Sequence, residues 1–356
     1  MPELMERILA FLSPFDIFHF KQVCQWFRTL GNTFYRHAYN IERILGAFFP
    51  NVIASFLSTQ KETGAIISGS IALRFFDRLD LRNNDDLDIF IRQGREGPMV
   101  EWLLSIGYQA VKTSDKDKIE EDLEDVDDIT PPNHDYTLDV IRHERFHHPA
   151  QNKDVEIVLS DCSPLVTILR FNLTCTMNFL THNKAYSLYP HLTFHDYQAI
   201  YFPSDYTDGE QDFVRKYESL GWSMVNYRTD VLCNCVSEKP RHLGDRDCWV
   251  ILLGDPAESS QLIHGPTSLF DWNSWKLRWS DIPFLQFTRL SSPRLKKDYT
   301  VHLNFSETVN LADTMRRKKE VFLLQTCVPL LTSTTDETSY GYIYTKHCDL
   351  LSRFPD

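Results

Sequence analysis

The chain has 356 residues, of which 42% are apolar, and this composition is typical of a globular protein with room for two or three domains. No run of about eighteen apolar residues occurs, and the first residues lack a basic stretch followed by an apolar core, so neither a membrane span nor secretion is expected. The net charge of −12 comes without a basic cluster, which disfavours nucleic-acid binding.

The cysteines are spread along the chain without a paired spacing. This usage is typical of reduced thiols and predicts a cytoplasmic or nuclear protein. Cys233, Cys235, His242 and Cys248 could in principle bind zinc, but their spacing fits no closed zinc pattern, so buried thiols are the preferred interpretation.

Three short helices are predicted near the start of the chain. Their apolar residues recur at three- and four-residue spacing, at Leu4, Ile8 and Leu12, then Ile17, Phe20 and Val23, then Phe27 and Leu30. Ser13 and Asp16 have the spacing of a capping box, and Pro14 suits the first position of the second helix. A segment this short cannot bury apolar groups on more than one side alone, so it must dock on the rest of the chain or on a partner.

This segment resembles an F-box, whose usual pattern is Leu-Pro-x-Glu-Leu, Ile-Leu, a Leu-Ser-Pro-x-Asp-Leu turn and a Val-Cys-x-x-Phe-Arg ending. The pattern is matched in order and spacing by Pro2, Glu3, Leu4, Ile8, Leu9, Leu12, Pro14, Asp16, Ile17, Val23, Cys24, Phe27 and Arg28, while Met1 stands in place of the first Leu. The alternative is an ordinary helical cap on the domain that follows.

The F-box resemblance implies a partner, the Skp-type adaptor of an SCF-type (cullin–RING) ubiquitin ligase, and a client protein whose identity is unknown. The adaptor contacts that it implies are Pro2, Leu4, Ile8, Leu12, Pro14, Asp16, Ile17, Val23 and Phe27.

A second unit is predicted at residues 46–203, and a helix-like pattern over 35–57, with Pro50 as a candidate break, spans its start. Its predicted elements are a short buried strand ending at Gly69, a helix at 71–76, a strand at 87–91, a helix within 97–107, strands at 136–142 and 154–159, and a long helix at 163–180. The two later strands are expected to form a hairpin through a loop that carries His143, His147 and His148; with His134 these could bind a metal, although a solvated loop is preferred. Nine acidic residues and two lysines at 115–128 predict a solvated insertion at 112–130.

Three carboxylates of this unit could meet at one end of the sheet. Asp86 and Asp88 are two apart on a predicted strand, so their carboxylates project from one face with Cα atoms about 6.5 Å apart. With a third carboxylate from a neighbouring strand, such a pair can hold one or two magnesium ions. Glu156 is the candidate for that third group, and Asp139 competes with it.

A phosphate could lie beside those carboxylates. Gly69 allows a close backbone approach, the following helix offers free amides, and Ser70 could add its hydroxyl. Attack of an acceptor hydroxyl on the α-phosphorus of a nucleotide needs the metal site and the phosphate site together.

These residues resemble the nucleotidyltransferase superfamily signature, a hydrophobic-Gly-Ser followed by Asp-x-Asp and a later single carboxylate. Over residues 58–181 the resemblance narrows to a fungal group of nucleotidyltransferase-like proteins with a Phe-x-x-Thr-x-x-Met-Asn run, here Phe171, Thr174, Met177 and Asn178. It implies that Asp86, Asp88 and Glu156 hold Mg²⁺ and are catalytic, and that Gly69 and Ser70 bind a nucleoside triphosphate. The acceptor would be a protein or small-molecule hydroxyl. Because degenerate members serve as binding modules, a non-catalytic site is the alternative.

The rest of the chain, 204–356, is predicted to be a mixed extension with a helix at 208–220 and strands at 248–253 and 299–303. Trp272, Trp275 and Trp279 are interpreted as packing aromatics. The expected fold class is therefore α+β: a three-helix F-box at 1–45, a nucleotidyltransferase-like mixed sheet with flanking helices at 46–203, and an α+β C-terminal extension.

Overall fold

The structure is a computed structural model that describes residues 2–82, 85–111, 140–202, 207–225, 239–253, 273–278, 283–291, 299–302, 323–331 and 340–346. The predicted acidic insertion, the competing carboxylate Asp139, His134, Cys233, Cys235, Trp272 and Trp279 lie outside these residues. None of the helices in these ranges has the length and apolar character needed to cross a membrane.

The described residues form a mixed α+β fold, as the sequence predicts. The helices are α1 Pro2–Phe11, α2 Pro14–Val23, α3 Gln25–Ala38, α4 Ile41–Leu45, α5 Ile53–Thr63, α6 Gly69–Asp77, α7 Gly97–Ser105, α8 Pro164–Ile168, α9 Pro190–Phe194 and α10 Thr207–Ser219, with a 3-10 turn at Thr174–Thr176. The strands are β1 Ile66–Ser68, β2 Leu87–Arg92, β3 Gln109–Ala110, β4 Val140–His148, β5 Lys153–Ser160, β6 Asn178–Leu180, β7 Lys184–Ser187, β8 Gln198–Ile200, β9 Ser223–Val225, β10 Arg241–His242, β11 Trp249–Leu252, β12 Ser274–Arg278, β13 Phe284–Ser291, β14 Tyr299–Val301, β15 Leu323–Leu331 and β16 Tyr340–Lys346.

Helices α1 to α3 form a small N-terminal module with its own core. Leu9 and Ile17 are fully buried there against Phe34. The predicted capping box is confirmed, because the Ser13 hydroxyl accepts the Asp16 amide while the Asp16 carboxylate accepts from Ser13. The third helix is longer than predicted and runs to Ala38, because its last turns pack on the body of the protein.

One flank of this module is fixed to the body by Arg78. This residue ends α6 in a left-handed conformation, and its guanidinium donates to the carbonyls of Leu9, at 3.3 Å, and Leu12, at 2.6 Å. Next to this contact, the Tyr39 ring meets Trp249 edge-on with ring centroids 5.2 Å apart. The module is therefore docked on one side.

The body is built on an eight-stranded mixed sheet in the order β11-β7-β6-β1-β2-β5-β4-β3. Strands β2 and β5 are parallel, and the other described neighbours are antiparallel. Strand β11 belongs to the chain beyond residue 203, so the sheet takes strands from both sides of that predicted boundary. The boundaries at 45 and 203 stay a prediction.

Both faces of this sheet are covered by apolar groups. Ile67, Ile89 and Ile157 belong to one core cluster. Their neighbours in sequence, such as Phe90 and Val158, belong to another. Alternate residues of a strand point to opposite faces, so helices and loops pack on both sides, as is usual where parallel strands are buried.

A second sheet has the strand order β10-β12-β13-β15-β16, with β14 on β13, while β8 and β9 form a short parallel pair. Trp275 of β12 is fully buried and donates its indole N–H to the Tyr189 hydroxyl at 3.1 Å, which confirms its prediction as a packing aromatic.

Two of the predicted elements are wrong. The long helix at 163–180 is instead the five-residue α8, the 3-10 turn and strand β6, because nearly every side chain there is buried and an all-round apolar segment has no face that marks a helix. The histidine-rich loop is also wrong, because β4 continues through His143 and His147 and pairs with β5 as far as His148. The hairpin itself is confirmed. The helix-like pattern over 35–57 contains a further break at Asn40, whose side chain caps α4.

Candidate functional site

The carboxylates of Asp86, Asp88 and Glu156 converge at one end of the main sheet, with candidate ligand oxygens all within 4.8 Å of one another. The register explains this, because Asp88 of β2 lies directly beside Glu156 of the parallel strand β5. The sequence predicts Asp86 on the strand, but the structure places it immediately before the first residue of β2. Asp88 and Glu156 are buried, whereas Asp86 is half-buried. We call this group the carboxylate triad.

An ion pair holds the segment that carries Asp86. Arg74 of α6 contacts the Asp85 carboxylate at 3.0 Å, and both side chains are largely buried. The same carboxylate accepts the backbone amide of Arg82 at 2.6 Å. The turn before β2 is thereby tied to α6.

Gly69 lies against the triad. It begins α6 with a φ of 68°, and a Cβ atom at this position would stand 2.1 Å from Asp88 Oδ2. Only glycine therefore fits between β1 and the carboxylate. The half-buried Ser70 follows in the first turn of α6, where helical amides have no intrahelical acceptor.

Strand β1, which precedes Gly69, is held by contacts with its neighbouring strands. The Ser68 hydroxyl donates to the Asn178 carbonyl at 2.6 Å, and Ser68 is paired with Asp88 across β1 and β2. Asn178 belongs to the Phe-x-x-Thr-x-x-Met-Asn run, and Thr174 of that run accepts the Ile200 amide at 2.9 Å. This run supports the end of β1 from the neighbouring strand rather than contributing a ligand.

Sequence reasoning missed His143 as a neighbour of the triad. Its Nδ1 atom lies 2.9 Å from Glu156 Oε1. Arg145 also lies directly opposite Glu156 in the β4–β5 pairing. The hairpin register would have revealed both, since directly opposed and diagonal residues share a face of the sheet.

The triad suits a divalent cation that prefers oxygen ligands. Three carboxylates so close together, two of them buried, concentrate negative charge that a cation such as Mg²⁺ stabilises. The free amides at the start of α6 then offer an adjacent place for a phosphate group. The ligand type and spacing of the triad thus fit a divalent metal site, with Gly69 packed against it.

A second candidate is on the N-terminal module, where large apolar side chains face outward. We call them the exposed apolar row: Leu4 at 58% exposure, Ile8 at 42%, Phe11 at 90%, Val23 at 69% and Trp26 at 54%. The sequence predicted Leu4, Ile8 and Val23 as contacts. Phe11 and Trp26 were missed, although both are large apolar residues within the matched segment.

The other predicted adaptor contacts fall in different places. Leu12 and Phe27 are half-buried, and Asp16 is exposed while it caps α2. The predicted contact at Ile17 is corrected. This residue is fully buried in the core of the module, where α2 directs it inward, so it does not face a partner. The side chains of Pro2 and Pro14 lie outside the described residues.

No protein-family model, no curated protein and no solved structure matches this chain. The two resemblances therefore rest on the residues quoted for them and on the geometry around those residues.

His147, His148 and Cys248, considered above as possible metal ligands, have other contacts in the described part of the chain. His147 pairs with Asp154, with Nδ1 2.8 Å from Oδ1, while His148 accepts the Gln151 amide through its own Nδ1. Burial raises the pKa of the Cys248 thiol to about 12, so the neutral form is favoured, and Arg241 lies 3.2 Å from its sulfur. A buried neutral thiol is a poor zinc ligand.

Proposed function

We propose that this chain is an F-box protein, a substrate-recognition subunit that docks the Skp-type adaptor of a cullin–RING ubiquitin ligase through its N-terminal module and recruits a client protein with its body. The observation that carries the proposal is the exposed apolar row on a module that Arg78 fixes to the body. Full burial of one large apolar side chain contributes about 1.5–3 kcal/mol, so covering several of them together supports stable association.

The row can accept a partner without refolding of the module. Leu9, Ile17 and Phe34 form the core of the module, and the capping box fixes the turn between α1 and α2. A preformed surface loses little conformational entropy on binding. The alternative, a helical cap that serves only the body, does not explain why the exposed apolar row carries leucine, isoleucine, phenylalanine, valine and tryptophan.

Adaptor binding is tested by a Leu4→Asp plus Ile8→Asp variant. Central apolar contacts are typically worth about 2 kcal/mol or more each, so we expect adaptor affinity to fall by more than about 100-fold. The measurement is co-purification of the full chain with the adaptor, followed by titration of the two purified proteins.

The matched control is Leu104→Asp plus Leu220→Asp, which places the same charges at leucines that are also exposed but belong to the body. This variant should bind the adaptor as the unmodified chain does. Undiminished adaptor binding by the Leu4/Ile8 variant would contradict the proposal.

A second function is supported by the convergence of the carboxylate triad beside Gly69: magnesium-dependent nucleotidyl transfer to a hydroxyl of a protein or small molecule. Asp86 and Asp88 would hold Mg²⁺, which neutralises charge on the phosphates when bound. Glu156 would complete the site and help to activate the acceptor, while Gly69 and Ser70 would hold the triphosphate at the start of α6.

In this reaction the acceptor oxygen forms a bond to the α-phosphorus and the bond from that phosphorus to the β-phosphate bridging oxygen breaks. Pyrophosphate leaves, and the hydroxyl proton passes to a carboxylate such as Glu156. His143, in contact with Glu156, is placed to orient this side chain.

The metal–nucleotide site is tested by an Asp86→Ala plus Asp88→Ala variant. Loss of groups that merely support a metal site typically costs about 10–100-fold in affinity, so removing two ligands should weaken Mg²⁺-dependent nucleotide binding by more than about 100-fold. Titration calorimetry with each nucleoside triphosphate, with and without Mg²⁺, measures this, and pyrophosphate release separates an active enzyme from a binding module.

Asp80→Ala plus Asp212→Ala is the matched control, because it removes two aspartates with highly exposed side chains elsewhere. If the unmodified protein binds no nucleotide in the presence of Mg²⁺, this second function is wrong, and adaptor docking is unaffected.

A further inference from the structure

A second cluster of metal-ligating side chains lies at the end of α9, away from the carboxylate triad in sequence. His191 and His195 are one helical turn apart, and Asp196 follows directly. Asp196 Oδ2 is 3.1 Å from His191 Nδ1, and Asp196 Oδ1 is 2.7 Å from His195 Nδ1. Candidate ligand atoms of all three residues lie within 4.8 Å of one another.

These distances are close to those of a tetrahedral metal site. A zinc ion about 2.0–2.2 Å from each nitrogen and oxygen ligand separates neighbouring ligand atoms by roughly 3.3–3.5 Å. The contact of Asp196 with His191, at 3.1 Å, is shorter than that by roughly 0.2–0.4 Å, and its contact with His195, at 2.7 Å, by roughly 0.6–0.8 Å. The two imidazole centroids are 4.5 Å apart. Small side-chain rotations would therefore admit an ion.

The backbone around the cluster is held in place. The amides of His195 and Asp196 both donate to the His191 carbonyl, at 3.0 and 3.1 Å. Between them, Phe194 is buried and the Thr193 carbonyl accepts the indole N–H of Trp222 at 2.9 Å. The backbone that carries the three ligands is thus held in place, which lowers the entropy lost when an ion binds.

The ligand set selects the kind of metal. Imidazole nitrogen suits zinc, cobalt, nickel and copper, whereas magnesium and calcium prefer oxygen ligands alone. We infer that His191, His195 and Asp196 form a site for a zinc-class divalent ion, with solvent as the fourth ligand. The carboxylate triad, which offers only oxygen, takes a different class of ion.

A single histidine–aspartate pair would not justify this inference, because such pairs are common hydrogen bonds. The chain contains that case for comparison: His147 Nδ1 lies 2.8 Å from Asp154 Oδ1, and among the described residues no third ligand completes a cluster with them. What distinguishes the α9 cluster is that one carboxylate contacts two imidazoles through its two oxygens.

Zinc titration of the full chain, in excess Mg²⁺ to occupy oxygen sites, tests the inference. We expect one equivalent of Zn²⁺ to bind, and Co²⁺ to give the visible absorption bands of a four-coordinate nitrogen–oxygen site. His191→Ala plus His195→Ala should weaken zinc binding by more than about 100-fold, because it removes two of three protein ligands.

The control His147→Ala should bind zinc normally, and so should Asp86→Ala plus Asp88→Ala, which separates this site from the triad. Asp196→Asn keeps the shape of the side chain and is expected to weaken binding without unfolding the chain, as circular dichroism would check. Failure of the unmodified protein to bind zinc, or unchanged binding and cobalt spectra in the double histidine variant, overturns the inference.

Discussion

An Asp245→Ala variant is expected to lose about 3–5 kcal/mol of unfolding free energy, because it leaves the charge of Arg241 buried without its counter-ion. Arg241 donates through Nε to Asp245 Oδ2 at 2.6 Å and through Nη2 to Oδ1 at 2.9 Å. The two side chains are only 5% and 10% exposed. The guanidinium also lies near the rings of Tyr189 and Trp275, at 5.4 and 5.6 Å from their centroids.

The same carboxylate holds the turn after β10. Asp245 accepts the backbone amides of Asp247 at 3.0 Å and Cys248 at 2.9 Å, so alanine also removes acceptors from this turn. Urea unfolding of the full chain measures the effect as a lowered midpoint. Asp212→Ala is the matched control, because its pairing with Arg215 is 70–75% exposed and such surface pairs contribute little. Equal midpoints for the two variants would contradict the prediction.

The stability supplied by this pair should also depend on acid. Burial alone would raise the pKa of Asp245, but hydrogen bonds and charge from Arg241 outweigh it, so the pKa lies below its ordinary value of 3.8. A lowered folded-state pKa means that the contribution is complete above that ordinary value and is lost as the pH falls through the folded-state pKa. The difference between unmodified and Asp245→Ala proteins should therefore shrink at strongly acidic pH.

A Gly69→Ala variant is expected to abolish Mg²⁺-dependent nucleotide binding and to lower stability by about 1–3 kcal/mol, the usual cost of a strained backbone position. The glycine has a φ of 68°, and the new Cβ would stand 2.1 Å from Asp88 Oδ2. The carboxylate must move, and with it the arrangement of the triad. Calorimetry of nucleotide binding and urea unfolding measure the two effects.

Gly94→Ala separates the strain from the contact. Gly94 has a similar φ of 81°, but nothing lies within 4 Å of its added Cβ. It should cost stability to a similar degree while nucleotide binding is kept. If Gly69→Ala binds nucleotide as tightly as Gly94→Ala does, the close approach of Gly69 to Asp88 has no role in the site.

Local signals predicted the elements that position the triad. The buried strand ending at Gly69, the helix after it and the strand at 87–91 all appear, because each has an apolar run bounded by glycine or polar residues. Asp88 and Glu156 are each predicted on a strand, as observed. That these two strands are neighbours and parallel is long-range information that local sequence patterns do not carry.

The wrong predictions depend on tertiary contacts that local sequence patterns do not show. Residues 163–180 are buried on all sides, so their sequence carries no amphipathic period, and pairing of β6 with β1 and β7 decides the outcome. The histidines of β4 were predicted to form a loop because polar residues are poor strand markers. Pairing with β5 nevertheless extends the strand through them. Ile17 matched a contact pattern, but sequence spacing alone does not say which apolar residues of a small module face inward.

Helix α6 connects the carboxylate triad to the N-terminal module, which the sequence assigns to different domains. It begins at Gly69, against Asp88, and is capped at its C-terminus by Arg78, whose guanidinium donates to the carbonyls of Leu9 in α1 and Leu12 just after it. Its nine residues span only about 13 Å. Under the proposed adaptor docking, a client bound to the body would therefore be held at a short distance from the adaptor by this helix, rather than by a flexible linker.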